Sequence, residues 1–335
     1  MSRIITARRR AAACKYLALA STALVGFALP GVAQAQSWTG NVSTDWFTNG
    51  NWSTNTAPTI HDAPIIDTKI PNTTVIDAAA ADAFQVTVGN LSSGDLTIKN
   101  GGTLSVDFDK IGNFAGSNGT VNILGAGSSF LVTNTLSAGI NGSGTVNIVN
   151  GGHVTSKIGI VGASGGSNGL VTITGAGSLW TQTGQLALGV NGAGTLAISN
   201  GGSWQGTNIG LGGNVGSTGI ITVAGAGSTI TAWGDVSVGL GGTGTMTIAG
   251  GGKVTDVNAD LGAFVGSIGK VVVDGAGSTW TNSGGLFIAT HGAGGLTISN
   301  GGSVTDNLGM IGYSGDGVGA VVVDGAGSTW ASQNN

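Results

Sequence analysis

Apolar and polar residues alternate in short runs along most of the chain, and small residues separate one run from the next. In two such runs Val121, Ile123, Val146 and Ile148 alternate with polar residues such as Asn122. Alternation with a period of two is typical of β-strands that bury one face. We therefore predict short strands whose valines and isoleucines point inward, with Gly, Asn and Ser at the corners between them.

These runs recur with a fixed period. Two markers, Gly-Ala-Gly-Ser and Asn-Gly-Gly, each return at a spacing of about 50 residues, and the second lies about 25 residues from the first. A unit of about 25 residues has room for three short strands, which is what one coil of a β-solenoid needs. Gly-Ala-Gly-Ser occupies 125–128, 175–178, 225–228, 275–278 and 325–328, and Asn-Gly-Gly begins at Asn100, Asn150, Asn200 and Asn300, with Gly250 replacing the asparagine once.

The repeat predicts an all-β fold, a right-handed parallel β-helix of about ten coils, each of about 25 residues, over residues 94–335. Gly and Asn suit corners that need a positive φ. The serine of each Gly-Ala-Gly-Ser block could cap a corner with its hydroxyl, although a need for a small packed residue would also select serine. Residues 36–93 contain Trp38, Trp46 and Trp52 in a degenerate pattern, so we predict an N-terminal cap and the first coils there. The chain stops inside a repeat, and we expect it to be truncated at the C-terminus.

Residues 1–35 have the features of a secretory signal peptide. Basic residues from Arg3 to Lys15 precede an apolar core, Leu17 to Leu29, and small residues lead to a predicted cleavage after Ala35. The apolar core is shorter than the ~20 residues that a spanning helix needs. No longer apolar run follows, so we expect an exported mature chain without a membrane-spanning helix.

Removal of this leader changes the composition. It takes away every arginine and the single cysteine, Cys14, and leaves six lysines against fifteen aspartates, with no glutamate. Disulfides therefore cannot stabilise the mature chain. The mature chain has a net charge of −9 and no arginine, so it lacks the basic surface that nucleic-acid binding requires. We therefore exclude nucleic acid as a partner.

Three short motifs resemble functional sequences but lack the required context. Residues 239–244 match Gly-x-Gly-x-x-Gly, yet a predicted strand follows where a dinucleotide site needs a helix. Ser164 lies between glycines as in a nucleophile elbow, but other copies of the repeat lack this serine. Residues 241–246 resemble a calcium-binding repeat, with Met246 at the position of the required aspartate.

The histidines do not suggest a metal site either. His61, His153 and His291 lie in different settings, and His153 occupies a corner that Thr, Ser or Lys fills in other copies. We therefore predict no catalytic, cofactor-binding or metal-binding residues, no cofactor and no enzymatic activity.

A carboxylate pair is the best candidate for catalysis. Asp107 and Asp109 would share a face about 6.6 Å apart if extended, a separation compatible with an inverting glycosidase. We favour a simpler interpretation, in which both belong with Asp256, Asp260 and Asp306 to a corner of variable length and are solvated loop charges. On that interpretation Asp256→Ala costs roughly 0.5 kcal/mol or less.

Large apolar residues return at one repeat position, directly after Gly-Ala-Gly-Ser and one further residue. Exposed rings there could stack on sugars, but the isoleucine in one copy favours a packed ladder, since a buried site accepts any large apolar group. The series is Phe130, Trp180, Ile230, Trp280 and Trp330.

The Asp45-Trp46 and Asn51-Trp52 opening, the Asn-Gly-Gly blocks and the Gly-Ala-Gly-Ser blocks resemble a known class of repeats. They are similar, over residues 38–335, to the glycine-rich strand repeats of type V secretion autotransporter passengers and of PEP-CTERM-associated exported proteins. The resemblance implies a parallel β-helix presented at the cell surface or released from it, often with adhesive or scaffolding roles. It transfers no catalytic residue.

These observations lead to two functional hypotheses. The first is a non-enzymatic, structural or adhesive β-helix passenger segment at the bacterial surface, outer membrane or outside the cell. Its partners would be glycans or proteins of host or neighbouring cells, or further copies of itself. The alternative is a polysaccharide-binding or glycan-active β-helix, which clustered Asp and Lys beside an exposed Trp would favour.

Overall fold

The computed structural model describes residues 35–334, which form an all-β parallel solenoid of about 12 turns with coils of about 25 residues. The predicted parallel β-helix is confirmed, and its handedness stays a prediction. The predicted signal peptide lies outside the described residues, apart from Ala35. At about 4.8 Å per turn the solenoid is roughly 55 Å long.

The described residues contain thirty strands and one 3₁₀ helix, Asn49–Asn51. The strands are β1 (Ala35–Ser37), β2 (Ala63–Ile66), β3 (Thr74–Asp77), β4 (Ala80–Val88), β5 (Ser93–Lys99), β6 (Thr103–Ile111), β7 (Asn118–Leu124), β8 (Ser129–Ala138), β9 (Ser143–Val149), β10 (His153–Val161), β11 (Asn168–Thr174), β12 (Leu179–Gln182), β13 (Leu186–Leu188), β14 (Ala193–Ser199), β15 (Ser203–Gly206), β16 (Ile209–Leu211), β17 (Thr218–Ala224), β18 (Thr229–Ala232), β19 (Val236–Val238), β20 (Thr243–Ala249), β21 (Lys253–Asp256), β22 (Ala259–Leu261), β23 (Ile268–Asp274), β24 (Thr279–Asn282), β25 (Gly285–Ile288), β26 (Ala293–Ser299), β27 (Ser303–Asp306), β28 (Leu308–Ile311), β29 (Val318–Asp324) and β30 (Thr329–Ser332).

One side of the solenoid is an eleven-stranded parallel sheet with one strand per turn, which we call the first column. From β5 onward each of its strands has seven residues, and the strands pair without a register shift, so that Gly169 aligns with Gly144 and Gly194. The first column contains β3, β5, β7, β9, β11, β14, β17, β20, β23, β26 and β29.

A nineteen-stranded sheet covers the remaining sides. In its early turns long strands such as β6, β8 and β10 bend around a corner. From β12 onward each turn carries two short strands instead, and β10 pairs with both β12 and β13. We call the two halves the second column, which follows the first along the chain, and the third column.

The predicted inward and outward positions of the first column are confirmed. Val121, Ile123, Val146 and Ile148 are fully buried. The outward asparagines bond along the solenoid axis, because Asn147 Nδ2 donates to Asn122 Oδ1 at 2.8 Å. The column therefore has an apolar inner face and a hydrogen-bonded polar outer face.

The corner between the first and second columns uses the predicted residue types. Asn150 has φ 52° and the following Gly151 has φ 90°. L-residues other than Asn and Asp rarely adopt this region. Ser178 donates from its hydroxyl to the carbonyl of Thr174 at 2.7 Å and accepts the Gly151 N–H at 3.0 Å. The capping hydroxyl is confirmed here, and the same pair of bonds recurs at Ser128, Ser228, Ser278 and Ser328.

Residues 35–88 contain an aromatic cluster near the beginning of the described chain. Trp38, Trp46 and Trp52 are buried, and the Trp52 ring lies edge-on to both others at centroid distances of 5.0 and 4.9 Å. The Trp52 indole N–H donates to the Trp46 carbonyl at 2.8 Å. The division into a cap and repeats stays a prediction.

Candidate functional site

In each turn, the last inward position of the second column lies just before the corner to the third column. The residue type at this position changes along the solenoid. We call this series the interior polar column. Val132 pairs with Ser156 and Ser156 with Gln182, and farther along Asp256 pairs with Asn282 and Asp306 with Ser332. In order, its positions are Val106, Val132, Ser156, Gln182, Gly206, Ala232, Asp256, Asn282, Asp306 and Ser332.

An aromatic ladder lies beside this column, two residues earlier on the same strands. It includes Trp204, which pairs with both Trp180 and Ile230. Phe130, Trp180, Trp204, Ile230 and Trp280 are at most 1% exposed, so the packed ladder is confirmed for these positions and their rings are closed to sugars. Trp330, the last of the predicted series, is only partly buried.

The tryptophans of the ladder donate their indole N–H groups into the interior polar column. Trp180 donates to Ser156 Oγ at 3.0 Å and Trp204 to Gln182 Oε1 at 2.8 Å. In the later turns the acceptor is a carboxylate, with Trp280 donating to Asp256 Oδ2 at 2.6 Å. Each donor lies 22 to 24 residues after its acceptor, close to one coil, and the repeat length could have revealed this spacing.

The prediction that Asp109, Asp256 and Asp306 are solvated loop charges is wrong. Their exposed fractions are 3%, 4% and 1%. The acids lie on strands that run into the corner, and the alternation there turns these side chains inward. Asp260 stands on the outer face of the third column and is half-buried.

The predicted shared face of Asp107 and Asp109 is also wrong. Asp107 and Phe108 are both exposed, and these two consecutive outward residues shift the alternation of β6 by one. Asp109 consequently points inward, where its two carboxylate oxygens accept the N–H of Ser137 at 2.9 and 3.2 Å. The two carboxylates lie on opposite faces of the strand and cannot act as a catalytic pair.

Burial dominates the electrostatics of the interior acids. It raises the pKa of Asp109 well above its usual range, against the opposing bond from Ser137. It raises the pKa of Asp256 in the same way, with the Trp280 N–H opposing and the charge of Asp235 adding to the rise. These groups therefore favour the neutral form more strongly than a solvated aspartate does.

Two neighbouring residues of the interior polar column have unsatisfied polar atoms. Asp256 Oδ1 and both amide atoms of Asn282 are buried without a hydrogen-bond partner. Elsewhere in the column Ser156 Oγ accepts from Trp180 and from Gln182 Nε2, the latter at 3.3 Å. Within the interior polar column the Asp256–Asn282 step is thus the position at which buried hydrogen bonding is incomplete, and elsewhere in the described residues Trp46 Nε1 and Thr74 Oγ1 also have no partner.

The surface carries a second polar group, built from loops of two successive turns. His291 Nδ1 lies 3.1 Å from Asp316 Oδ1, and Ser314 Oγ lies 3.5 Å from His291 Nε2. Asp260 accepts the Thr290 hydroxyl at 2.8 Å, and burial raises its pKa to about 6 against that bond and the nearby His291. His291 and Asp316 are one coil apart in the sequence, so the coil length could have predicted this contact.

The order of atoms in this group is that of a serine, histidine and carboxylate relay. The His291 and Asp316 side chains are 45% and 50% exposed, so water surrounds the relay. The distance from the Ser314 hydroxyl is at the hydrogen-bond limit. We call Asp260, Thr290, His291, Ser314 and Asp316 the surface polar group. Tyr313, half-exposed, lies beside it with its ring 6.3 Å from that of Phe287.

The remaining candidate residues lie apart from one another. His61 is exposed, and His153, also exposed, contacts the Gly177 carbonyl at 3.1 Å. Residues 239–244 run directly into β20, and Ser164 belongs to a tight turn in which Ser167 donates to its carbonyl. Residues 35–334 contain no group of three or more His, Cys, Asp or Glu side chains that could hold a metal ion.

Comparisons with known proteins assign no family to this chain. No protein-family model matches the chain, and no curated protein matches its sequence. A matching solved structure is the crystal structure of a TibC-catalyzed hyper-glycosylated TibA55-350 fragment, with 18% identity and a TM-score of 0.37, covering 89% of this chain and 97% of that chain. Identity and score at this level assign neither family nor function, and the fold assignment rests on the strand pairing. No helix in residues 35–334 is long and apolar enough to cross a membrane.

Proposed function

We propose that this protein is an exported structural or adhesive β-helix segment, displayed at the bacterial surface or released from it, and that it performs no catalysis. The observation that carries the proposal is the unbroken pairing of the first column from β3 to β29. Eleven strands paired in succession form a continuous rod, which suits the presentation of a surface away from a cell.

The distribution of chemistry supports a structural role. Trp180 and Trp280, which the sequence offers as possible sugar-stacking rings, are fully buried, and their indole N–H groups bond to the buried Ser156 and Asp256. On the outer face Asn122 and Asn147 bond to each other along the axis. Export is supported by the predicted leader, and surface adhesion by the resemblance of the repeats to autotransporter passengers.

Localisation and binding test this proposal together. The full chain with an epitope tag inserted at the exposed turn containing Val215 is expressed in a Gram-negative bacterium, and external protease digestion is followed by immunoblotting. We expect tag loss from intact cells or tag in the medium, and N-terminal sequencing should begin at Gln36. Binding of purified residues 36–335 to intact cells or to immobilised copies would support adhesion. Retention in the cytoplasm with the leader intact would contradict export.

A glycan-binding role remains the second candidate, and the surface polar group favours it. Tyr313, whose half-exposed ring lies edge-on to Phe287, directly precedes Ser314 of this group, and a ring together with hydrogen-bonding side chains can bind a sugar. Trp233, which is 53% exposed, is a second candidate ring. Screening purified protein on a glycan array, with Tyr313→Ala compared with Trp233→Ala, separates the sites. Loss of a glycan signal in only one variant would locate it.

A further inference from the structure

The interior polar column has one step at which buried polar atoms of two paired residues have no hydrogen-bond partner. Asp256 and Asn282 are direct partners in the pairing of β21 with β24, and both side chains are on the inward face. Their exposed fractions are 4% and 2%, yet Asp256 Oδ1, Asn282 Oδ1 and Asn282 Nδ2 have no partner. Buried polar groups left unpaired in this way are costly, and a native structure satisfies nearly all of them.

We propose that the solenoid binds one or two ordered water molecules between Asp256 and Asn282. The three free atoms include a donor, Nδ2 of Asn282, and acceptors on both residues. Water can accept from the amide N–H and donate to the carboxylate oxygen at once. A metal cation would satisfy the oxygens and leave the amide N–H unpaired.

Neighbouring steps of the column explain why water binds here. At the step between Ser156 and Gln182 the side chains bond directly at 3.3 Å, so no bridge is needed. On the other side of Asn282, the oxygens of Asp306 are taken by the Trp330 indole and the Ser332 hydroxyl. The Asp256–Asn282 step has neither arrangement, and two to four polar partners suffice to hold a buried water.

The site also completes the environment of Asp256. Its Oδ2 accepts the Trp280 N–H at 2.6 Å, so the bridge is required only at Oδ1. The lysines of the described chain lie on or near the surface, and none forms an ion pair with Asp256. Water at Oδ1 therefore supplies a hydrogen bond that no side chain of residues 35–334 supplies.

The test is a high-resolution crystal structure of the exported chain, with Asn282→Val as the variant. Valine occupies the same column position at Val106 and Val132, so the backbone accepts it. We expect density for water within hydrogen-bond distance of Asp256 Oδ1 and Asn282 in the wild type. Its loss in the variant should accompany a lower urea midpoint of unfolding. Asn122→Val, the same change on the outer face, should leave the internal water in place.

Two outcomes would overturn the proposal. An empty step together with a raised midpoint for Asn282→Val would show that the free atoms are simply unsatisfied. Density with several oxygens at metal-ligand distances, and a midpoint that depends on the added cation, would indicate an ion. If Asn282→Val does not fold, Asn282→Ser keeps a hydroxyl at the site and should retain at least one bridging water, and its absence would equally count against the proposal.

Discussion

The corners of the solenoid and its interior polar column obey different rules. The corner angles of Asn150 and Gly151 recur at every second turn, and nearly the same residue types recur with them, because Asn100, Asn200 and Asn300 have φ between 52° and 54°. In the interior polar column the position filled by Val132 in one turn is filled by Gln182 in another and by Asp256 in a third. A corner requires a positive φ, which few residue types adopt. An interior position requires only that its side chain pack against, or hydrogen-bond with, the side chains of adjacent turns, and many combinations of residues can do so.

The largest loss of stability is expected from a substitution in the aromatic ladder. Trp280→Ala removes a fully buried ring and should cost about 3–5 kcal/mol of unfolding free energy. It also deprives Asp256 Oδ2 of its donor, whereas Trp204→Ala deprives only the neutral Gln182. In urea denaturation we expect Trp280→Ala to lose more than Trp204→Ala at pH 8 and a smaller difference at pH 5. Equal losses at both values would show that the carboxylate does not matter.

A direct comparison of the two regions comes from Gly227→Val and Asp256→Ala. Gly227 has φ 82°. Valine there should therefore cost about 1–3 kcal/mol from backbone strain. The small loss expected from the sequence for Asp256→Ala is revised upward to about 1–3 kcal/mol, because the buried Trp280 N–H loses its acceptor. Urea denaturation at several pH values distinguishes the two variants, because only the stability loss of Asp256→Ala should change with pH. A pH-independent loss in Asp256→Ala would contradict the assignment of a buried titrating carboxyl.

The same contrast explains how far the sequence could predict the structure. The period of about 25 residues and the corner types predicted the parallel β-helix, because a repeated backbone geometry leaves a repeated residue signature. Simple alternation from the inward Val254 could also have predicted the inward Asp256. The burial of Asp109 could not be read in this way. It depends on where a strand bends, and in β6 two consecutive outward residues shift the alternation without any marker in residue type. Contacts one coil apart, such as His291 with Asp316, were accessible from spacing alone.

The carboxyls whose pKa is raised by burial, namely Asp109, Asp256 and the half-buried Asp260, should make the solenoid more stable in mild acid. A raised folded-state pKa means that the folded protein binds protons more tightly, so the stabilisation is present below the ordinary value of 3.8 and is lost as pH rises through the folded value. For Asp260 the loss begins near the ordinary value of 3.8 and is complete above the folded pKa of about 6, and Asp109 and Asp256 act in the same direction.

We therefore expect the unfolding free energy to fall by on the order of 1–3 kcal/mol between pH 4.5 and pH 8. The exposed Asp77 and the half-buried Asp274 have lowered pKa values, so their contribution has the opposite sign and changes only as pH falls below about 3.8. Urea midpoints measured above pH 4 avoid that range. Asp260→Asn should flatten the curve between about pH 4.5 and pH 6, and a curve that rises with pH in the wild type would refute the sign.

The smallest expected effect concerns the one corner that departs from its own pattern. Ala289 has φ 63° at a position where Gly139, Gly189 and Gly239 have φ between 66° and 76°. Ala289→Gly should stabilise the fold by removing a backbone strain of about 1–2 kcal/mol. It should also destabilise the fold, because a buried methyl is lost and glycine gives the unfolded chain more conformational freedom. The net change in unfolding free energy should therefore stay within about 0.5 kcal/mol. Ala138→Gly deletes an equally buried methyl where φ is not positive and should cost about 1 kcal/mol or more. The difference between the two variants in urea denaturation isolates the strain that the corner imposes, and identical losses would mean that the positive φ carries no penalty for alanine.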